Sequence, residues 1–392
     1  MAQGSRTAER GIRRVPQFDL RRQYAVLRAE VLVALERVAD SQQYILGDET
    51  LAFEREAAVF LGAAACAGCA SGTDALWLAL AACGVVPGDA VITTSFSFFA
   101  TASSILRTGA RPVFADIDPT TFNLHADSVR QILESSRGMG VRAIMPVHLY
   151  GQCADAEAFA ELAADFDLRV VEDAAQAFGA TWSGKHAGTL GDAAGFSFYP
   201  TKNLSAAGEA GCVTSNDEDI IERVRSLRNH GSRERYHHDV IGWNSRMDAF
   251  QAAVLRVKLR HLAAWNEQRR KNAATYDRLL SEAGLAKADD SSVPVQVPAV
   301  DKRADHIFHQ YTIRARRRDE LRAFLQECGV DTQIYYPLPL HLQPALSFLG
   351  YRSGDFPEAE RAAAEVISLP MFPELTGDEQ KYVVEGIASF YS

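Results

Sequence analysis

Short, uniformly apolar runs recur through residues 64–214, and helical patterns separate most of them; this rhythm limits the fold more than any other feature of the chain. Ala64–Ala70, Ala90–Thr94, Pro112–Ala115, Val141–Val147 and Leu168–Glu172 read as strands, and Gly195–Phe198 and Cys212–Thr214 as two shorter ones. The runs do not alternate apolar with polar residues, so both faces of each strand must be covered. Between them lie helices at Thr73–Cys83, stopped by Gly84, and at about Phe98–Arg107, stopped by Gly109, and a third that Asp155 can cap. Such alternation specifies an α/β fold with a mainly parallel sheet and helices on both faces.

The flanking segments follow other rules. Residues 19–39 carry Leu20, Tyr24, Leu27, Val31, Leu35 and Val38 on one helical stripe. A long helix is expected over Met247–Leu280, and the Val- and Pro-rich stretch Asp289–Val300 reads as a linker or edge strand. His309–Arg314, a helix at Glu320–Cys328 and a C-terminal helix from Thr376 form a smaller α+β unit, with Pro337, Pro339 and Pro344 marking an irregular loop. The expected division is a mobile tail at 1–14, a large domain at 15–255 and a small domain at 256–392.

The 392 residues are 47% hydrophobic and 23% charged, enough for two such units. A net charge of −9 offers no general attraction to nucleic acid or an anionic membrane, so an anionic substrate needs a local cluster of donors. No apolar run reaches the length of a membrane span. The basic start, Met1–Arg14, leads into no apolar stretch, and a cytoplasmic location is expected. Cys66 and Cys69 have the spacing of half a zinc site, but no second pair exists; reduced, buried strand cysteines are expected, with no metal and no disulfide.

In open α/β sheets ligands sit beyond the carboxyl ends of the strands, and the polar residues cluster there. Ser71-Gly72-Thr73 opens a helix and suits a phosphate, although a plain helix cap accounts for it equally well. Phe98 suits stacking on a flat ring; taken alone, core packing is the better account. A carboxylate at Asp173, ending a buried strand, needs a cationic partner such as a protonated pyridine nitrogen or a structural base, and Gln176 is three residues on. Lys202 lies in a turn without a neighbouring acid; taken alone, an exposed loop lysine is the better account, but pointed into the cleft its amine would be desolvated and nucleophilic, and Ser197 could donate to a phosphate. A phosphate cradle, a ring stacker, a ring-nitrogen carboxylate and an amine nucleophile together describe a site for pyridoxal 5'-phosphate (PLP).

The stretches SGTDAL (71–76), TSFSFFATA (94–102), PVHLYGQ (146–152), EDAAQAFGA (172–180), FSFYPTKNL (196–204), RNHG (228–231), GWNSRMDAFQAA (242–253) and YPLPLHLQ (336–343) are similar to those of the DegT-type sugar aminotransferases. The resemblance runs from Phe18 to the C-terminus. It implies PLP fold type I, with a seven-stranded sheet. Lys202 would hold PLP as a Schiff base and shuttle protons, with Asp173 on the ring nitrogen and Gln176 near the ring hydroxyl. Phe98 would stack on the ring, which reverses the core reading, and Gly72, Thr73 and Ser197 would hold the phosphate. Asn244 would reach the phosphate of a neighbouring subunit, making a homodimer part of the catalytic unit. Tyr199, His148, His309, Tyr336 and His341 would line the sugar end. The implied substrates are glutamate as amino donor and a dTDP- or UDP-linked keto-hexose, the 3-ketone favoured; a 4-keto sugar or a scyllo-inosose-type cyclitol is the alternative. Arg228, Arg233, Arg235 and Lys185 are candidates for the diphosphate. Relatives with His in place of the lysine are dehydratases, and Lys202 argues against that. A PLP-binding regulatory protein without turnover is the rival of another class. The chain departs from many relatives at Ser205–Glu209, where glycine-rich sequence is common, and at Thr201, where close sugar-3-amino relatives often carry Gly.

Overall fold

The computed structural model describes residues 14–135, 140–286 and 292–392; the expected tail, apart from Arg14, and the start of the expected linker lie outside the described residues. Seven strands form the central sheet in the order Ala65–Cys69, Gly211–Ser215, Ala193–Ser197, Arg169–Asp173, Val141–Met145, Ala90–Thr94 and Arg111–Ala115. The strand Gly211–Ser215 runs antiparallel to both neighbours, and the remaining pairs are parallel. The carboxyl ends of the other six strands therefore share one edge. Ladder register brings both Cys69 and Ser197 opposite Gly211, while Asp173 lies opposite Gly195, two residues short of that level.

Burial on both sides explains the composition of these strands. Cys66, Ala67, Val91, Ile92, Ala143, Ile144, Val171 and Val213 are all within 1% of complete burial. Helices Gly72–Ala82 and Glu218–Leu227 cover one face with an apolar cluster built around Trp77, Leu78, Leu80 and Val224. The other face packs under Phe53, Phe178, Phe196 and Phe198, with helix Asp48–Leu61 supplying Phe53 and Leu61. Five of the six cysteines, Cys66, Cys69, Cys83, Cys153 and Cys212, are buried, and Cys328 is half-buried; no metal-ligating cluster occurs among the described residues.

A second apolar core lies in the C-terminal third. The three-stranded sheet Val295–Gln296, Tyr311–Ala315 and Val366–Leu369 is antiparallel and packs with helices Leu262–Glu282, Arg318–Glu327 and Gly377–Tyr391. Thr376 caps the last helix in a reciprocal box with Glu379. Three expectations are corrected here. The helix expected over Met247–Leu280 is two helices, Ala249–Leu259 and Leu262–Glu282, broken at Arg260–His261. Its first half joins helix Leu20–Ser41 through Leu27, Val31, Val38, Ala253 and Val257, whereas its second half belongs to the C-terminal core. The boundary expected at 255/256 thus falls inside a helix, and Val15 and Phe18, counted with the large domain, pack into the C-terminal core. The stripe on helix Leu20–Ser41 is also shorter than expected, since Leu20 and Tyr24 are 43% and 45% exposed.

Candidate active site

Ser71 caps helix Gly72–Ala82, accepting the Asp74 N–H on its hydroxyl at 3.1 Å and the Ala75 N–H on its carbonyl at 2.9 Å. The Gly72 and Thr73 N–H groups are left for a ligand at the positive end of the helix. Ser197, at the end of its strand, faces this turn so closely that a Cβ on Gly72 would meet the Ser197 Cβ at 2.4 Å. Gly211 lies beneath, where a Cβ would meet the Ser71 carbonyl oxygen at 2.4 Å. Only glycine at both positions permits the approach. Ser197 Oγ accepts the Tyr199 N–H at 3.3 Å and keeps its own proton to donate.

Asp173 is 4% exposed. Its carboxylate accepts from the Thr101 hydroxyl at 2.7 Å and from the Ala175 N–H at 3.2 Å. Burial pushes its carboxyl up, and those two hydrogen bonds and the Lys202 charge act against that rise. Lys202 follows strand Ala193–Ser197, its N–H donating to the Tyr199 carbonyl at 2.8 Å. It keeps a partial opening to the cleft, yet it is packed densely enough that desolvation lowers its amine to about 8, the Asp173 charge opposing the fall. A buried carboxylate and a partly neutral amine are thus coupled across the strand ends.

Phe98 is 58% exposed, so core packing is excluded for it in the isolated chain. Its ring stands 6.1 Å from that of Tyr336. Tyr336 accepts a hydrogen bond from Gln176 Nε2 at 3.0 Å, and Gln176 Oε1 accepts the Tyr150 N–H at 2.7 Å. Burial raises the Tyr336 phenol and keeps it protonated. Gln176, Tyr336 and Phe98 therefore form one side of the cleft, with the second Gln176 amide proton still free. Tyr199 is 49% exposed at the mouth, and Asn244 is exposed as well, its Oδ1 accepting from Arg246 Nε at 3.0 Å.

Three histidines expected at the sugar end are buried and bonded within the protein. His148 is 1% exposed; Nε2 meets Glu172 Oε2 at 2.8 Å and Nδ1 accepts the Ala154 N–H at 3.0 Å, so neither nitrogen remains for a sugar. His341 is 2% exposed against Phe356, with Nε2 3.1 Å from Glu360. His309 is buried behind Lys202, with Nδ1 3.1 Å from Asn203 Oδ1; burial and the Lys202 charge keep it neutral. Arg228, a diphosphate candidate, is 3% exposed and committed to Glu54 and the Gly68 carbonyl. Arg233, Arg235 and Lys185 are exposed. Sequence reasoning missed Thr101; its only signal was a hydroxyl four residues after Ser97 at the start of a helix.

Residues 26–388 match the DegT/DnrJ/EryC1/StrS aminotransferase family. The chain belongs to this family. A protein of Geobacillus stearothermophilus described as a pleiotropic regulatory protein is 53% identical over 96% of this chain and 98% of its own length. The UDP-N-acetyl-3-dehydro-alpha-D-glucosamine 3-aminotransferase of Acidithiobacillus ferrooxidans is 43% identical over 93% and 95%. Among solved structures, S. venezuelae DesV in complex with a ketimine intermediate is 42% identical and superposes with a TM-score of 0.90, covering 96% of this chain and 98% of that one. Family membership makes the protein a PLP-dependent aminotransferase of fold type I.

Proposed function

We propose that this PLP-dependent aminotransferase transfers nitrogen from glutamate to the 3-keto group of a dTDP- or UDP-linked hexose and works as a homodimer. The observation that carries the reading is that Lys202 and the buried Asp173 carboxylate lie at one sheet edge, near enough for each charge to act on the other. The residues fit the cofactor on structural grounds. The Gly72–Ser197 approach makes a cradle that a methyl group would fill. Phe98 offers an exposed face, and Asp173 is a buried acceptor with capacity left for a cation. When bound, PLP supplies an electron-accepting ring that stabilises negative charge at the amine-bearing carbon.

The chain supplies the rest. Lys202, about one-tenth neutral at pH 7 for an amine near 8, would hold the cofactor aldehyde through its amine, with loss of water, and would serve as the proton carrier at Nζ. Asp173 would keep a proton at the ring nitrogen. Gly72, Thr73 and Ser197 would hold the phosphate, and Gln176 would offer an amide proton to the ring hydroxyl. Tyr199 and Tyr336 bound the opening where a sugar would enter.

Three features support the finer reading. The Acidithiobacillus relative is described as acting on a UDP-linked 3-dehydro sugar. Tyr236, Ile241 and Trp243 are 80%, 85% and 42% exposed around Asn244, an apolar surface that a second subunit would cover. Asn244 has both amide protons free to reach across it. The Geobacillus relative's description gives weight to the regulatory alternative. Against it stands a complete set of groups for proton transfer, which a binder does not need.

The deciding experiment adds glutamate to the holoenzyme, follows the cofactor spectrum, and then offers a panel of keto-sugar nucleotides with mass analysis of the products. Spectral conversion and a product carrying a new amine are expected. An unchanged spectrum with glutamate and other amino donors would favour the regulatory reading, and loss of water without amine gain would mean a dehydratase.

A further inference from the structure

Thr101 Oγ1 donates to Asp173 Oδ2 at 2.7 Å, and Ser97 Oγ lies 2.9 Å from the same Thr101 oxygen. A hydroxyl has one proton. If Thr101 gives its proton to Asp173, the second contact must be donated by Ser97. The chain then has a single direction, Ser97 to Thr101 to Asp173, and every dipole in it points its positive end at the carboxylate. Ser97, Thr101 and Asp173 are 4%, 0% and 4% exposed, so water does not compete for these bonds. In such surroundings each bond polarises the next. The reverse direction requires a protonated Asp173.

The same turn carries Phe98. Ser97 precedes helix Ala100–Arg107, Thr101 is its second residue, and the Thr101 N–H closes on the Phe98 carbonyl at 3.2 Å. One turn thus presents an exposed ring on the cleft side and two inward hydroxyls on the sheet side.

We propose that Ser97 and Thr101 are positioning residues that hold Asp173 ionised and aimed, so that residues 97–101 set both the face contact and the nitrogen contact of the cofactor ring. The inference rests on the PLP site described above. Removing the Thr101 hydroxyl leaves a buried carboxylate with one remaining hydrogen bond, from Ala175. Its proton affinity rises, and the proton shared with the ring nitrogen shifts toward the carboxylate.

The test compares Thr101→Val, Thr101→Ser and Ser97→Ala with wild type. Apo-protein is titrated with PLP by tryptophan fluorescence across pH, and the glutamate half-reaction is followed by stopped flow. In Thr101→Val the affinity falls about tenfold, and the acid limb of both pH profiles moves up by roughly one to two units, the size expected for losing a hydrogen bond to a charged group. Thr101→Ser restores the wild-type profile, and Ser97→Ala moves it the same way by less. A wild-type profile in Thr101→Val, or failure of Thr101→Ser to rescue, overturns the relay. If Thr101→Val does not fold, a wild-type profile in Ser97→Ala overturns it. Wild-type protein that binds no PLP would fail the underlying reading instead, and the relay with it.

Discussion

Gly72 and Ser197 are 125 positions apart, and a methyl group on Gly72 would sit 2.4 Å from the Ser197 Cβ. That contact joins the first helix of the sheet to the strand leading to Lys202. Gly72→Ala is therefore expected to displace the strand end or fill the phosphate cradle. Overpacking of this kind costs about 1–3 kcal/mol, so PLP affinity should fall roughly tenfold to a hundredfold. Fluorescence titration of the apo-protein measures it. Unchanged affinity would mean that the phosphate is not held here.

Lys202 sets a pH dependence with a definite sign. Only the neutral amine attacks an aldehyde. Desolvation places that amine at about 8, so the rate of PLP uptake by apo-protein should rise about tenfold per pH unit below 8 and level off above it. An ordinary lysine would keep rising toward 10. The unfolded chain holds this proton up to roughly 10.4 and the folded chain only up to about 8. The folded state thus binds fewer protons in that window, and the contribution of Lys202 to apo-protein stability grows as pH rises through it. Lys202→Ala should abolish covalent capture and remove the plateau; a plateau that survives would point to another lysine.

The strands were legible because each depends on local pattern. Val170 and Val171, or Ile144 and Met145, are apolar in succession since both faces are covered, and Asp173 and Lys202 stand out as charges beside such runs. Side-chain direction was not legible. Consecutive residues of a strand point to opposite faces, so Asp173 turns into the cleft while Glu172 turns away and takes His148 with it. The break at Arg260–His261 has no Gly or Pro to announce it. Thr101 was invisible for a related reason, since a threonine in a first helical turn looks like any capping residue.

Arg228 separates a structural role from a substrate role. It reaches Glu54 and the Gly68 carbonyl inside the protein, with Glu54 also accepting the Gly68 N–H at 2.8 Å. Arg228→Ala leaves the buried Glu54 carboxylate with only the Gly68 N–H and the more distant Arg225, at 3.8 Å, and removing one partner of a buried pair costs up to roughly 3–5 kcal/mol. The expected result is a lowered denaturation midpoint, with KM for the sugar nucleotide unchanged in the protein that remains folded. A raised KM at wild-type stability would restore Arg228 as a diphosphate ligand.

Glu172 and His148 make the same point next to the reacting groups. Glu172 is 1% exposed and takes four donors: the Leu190 and Gly191 N–H groups on Oε1 at 2.9 Å each, and the Gly188 N–H and His148 Nε2 on Oε2, both at 2.8 Å. His148 in turn accepts the Ala154 N–H, so this carboxylate ties the 188–191 turn and the 148–154 segment to the end of the strand that bears Asp173. In Glu172→Gln an amide NH2 must face two of these donors, whichever way the amide is turned. Each orphaned buried donor costs about 1–3 kcal/mol, so a loss of roughly 3 kcal/mol or more is expected in denaturant melts. His148→Gln, which keeps an acceptor and a donor, should lose less. In both variants KM for the sugar nucleotide should hold while kcat falls with any shift of Asp173. A change confined to KM would return His148 to the sugar end of the site.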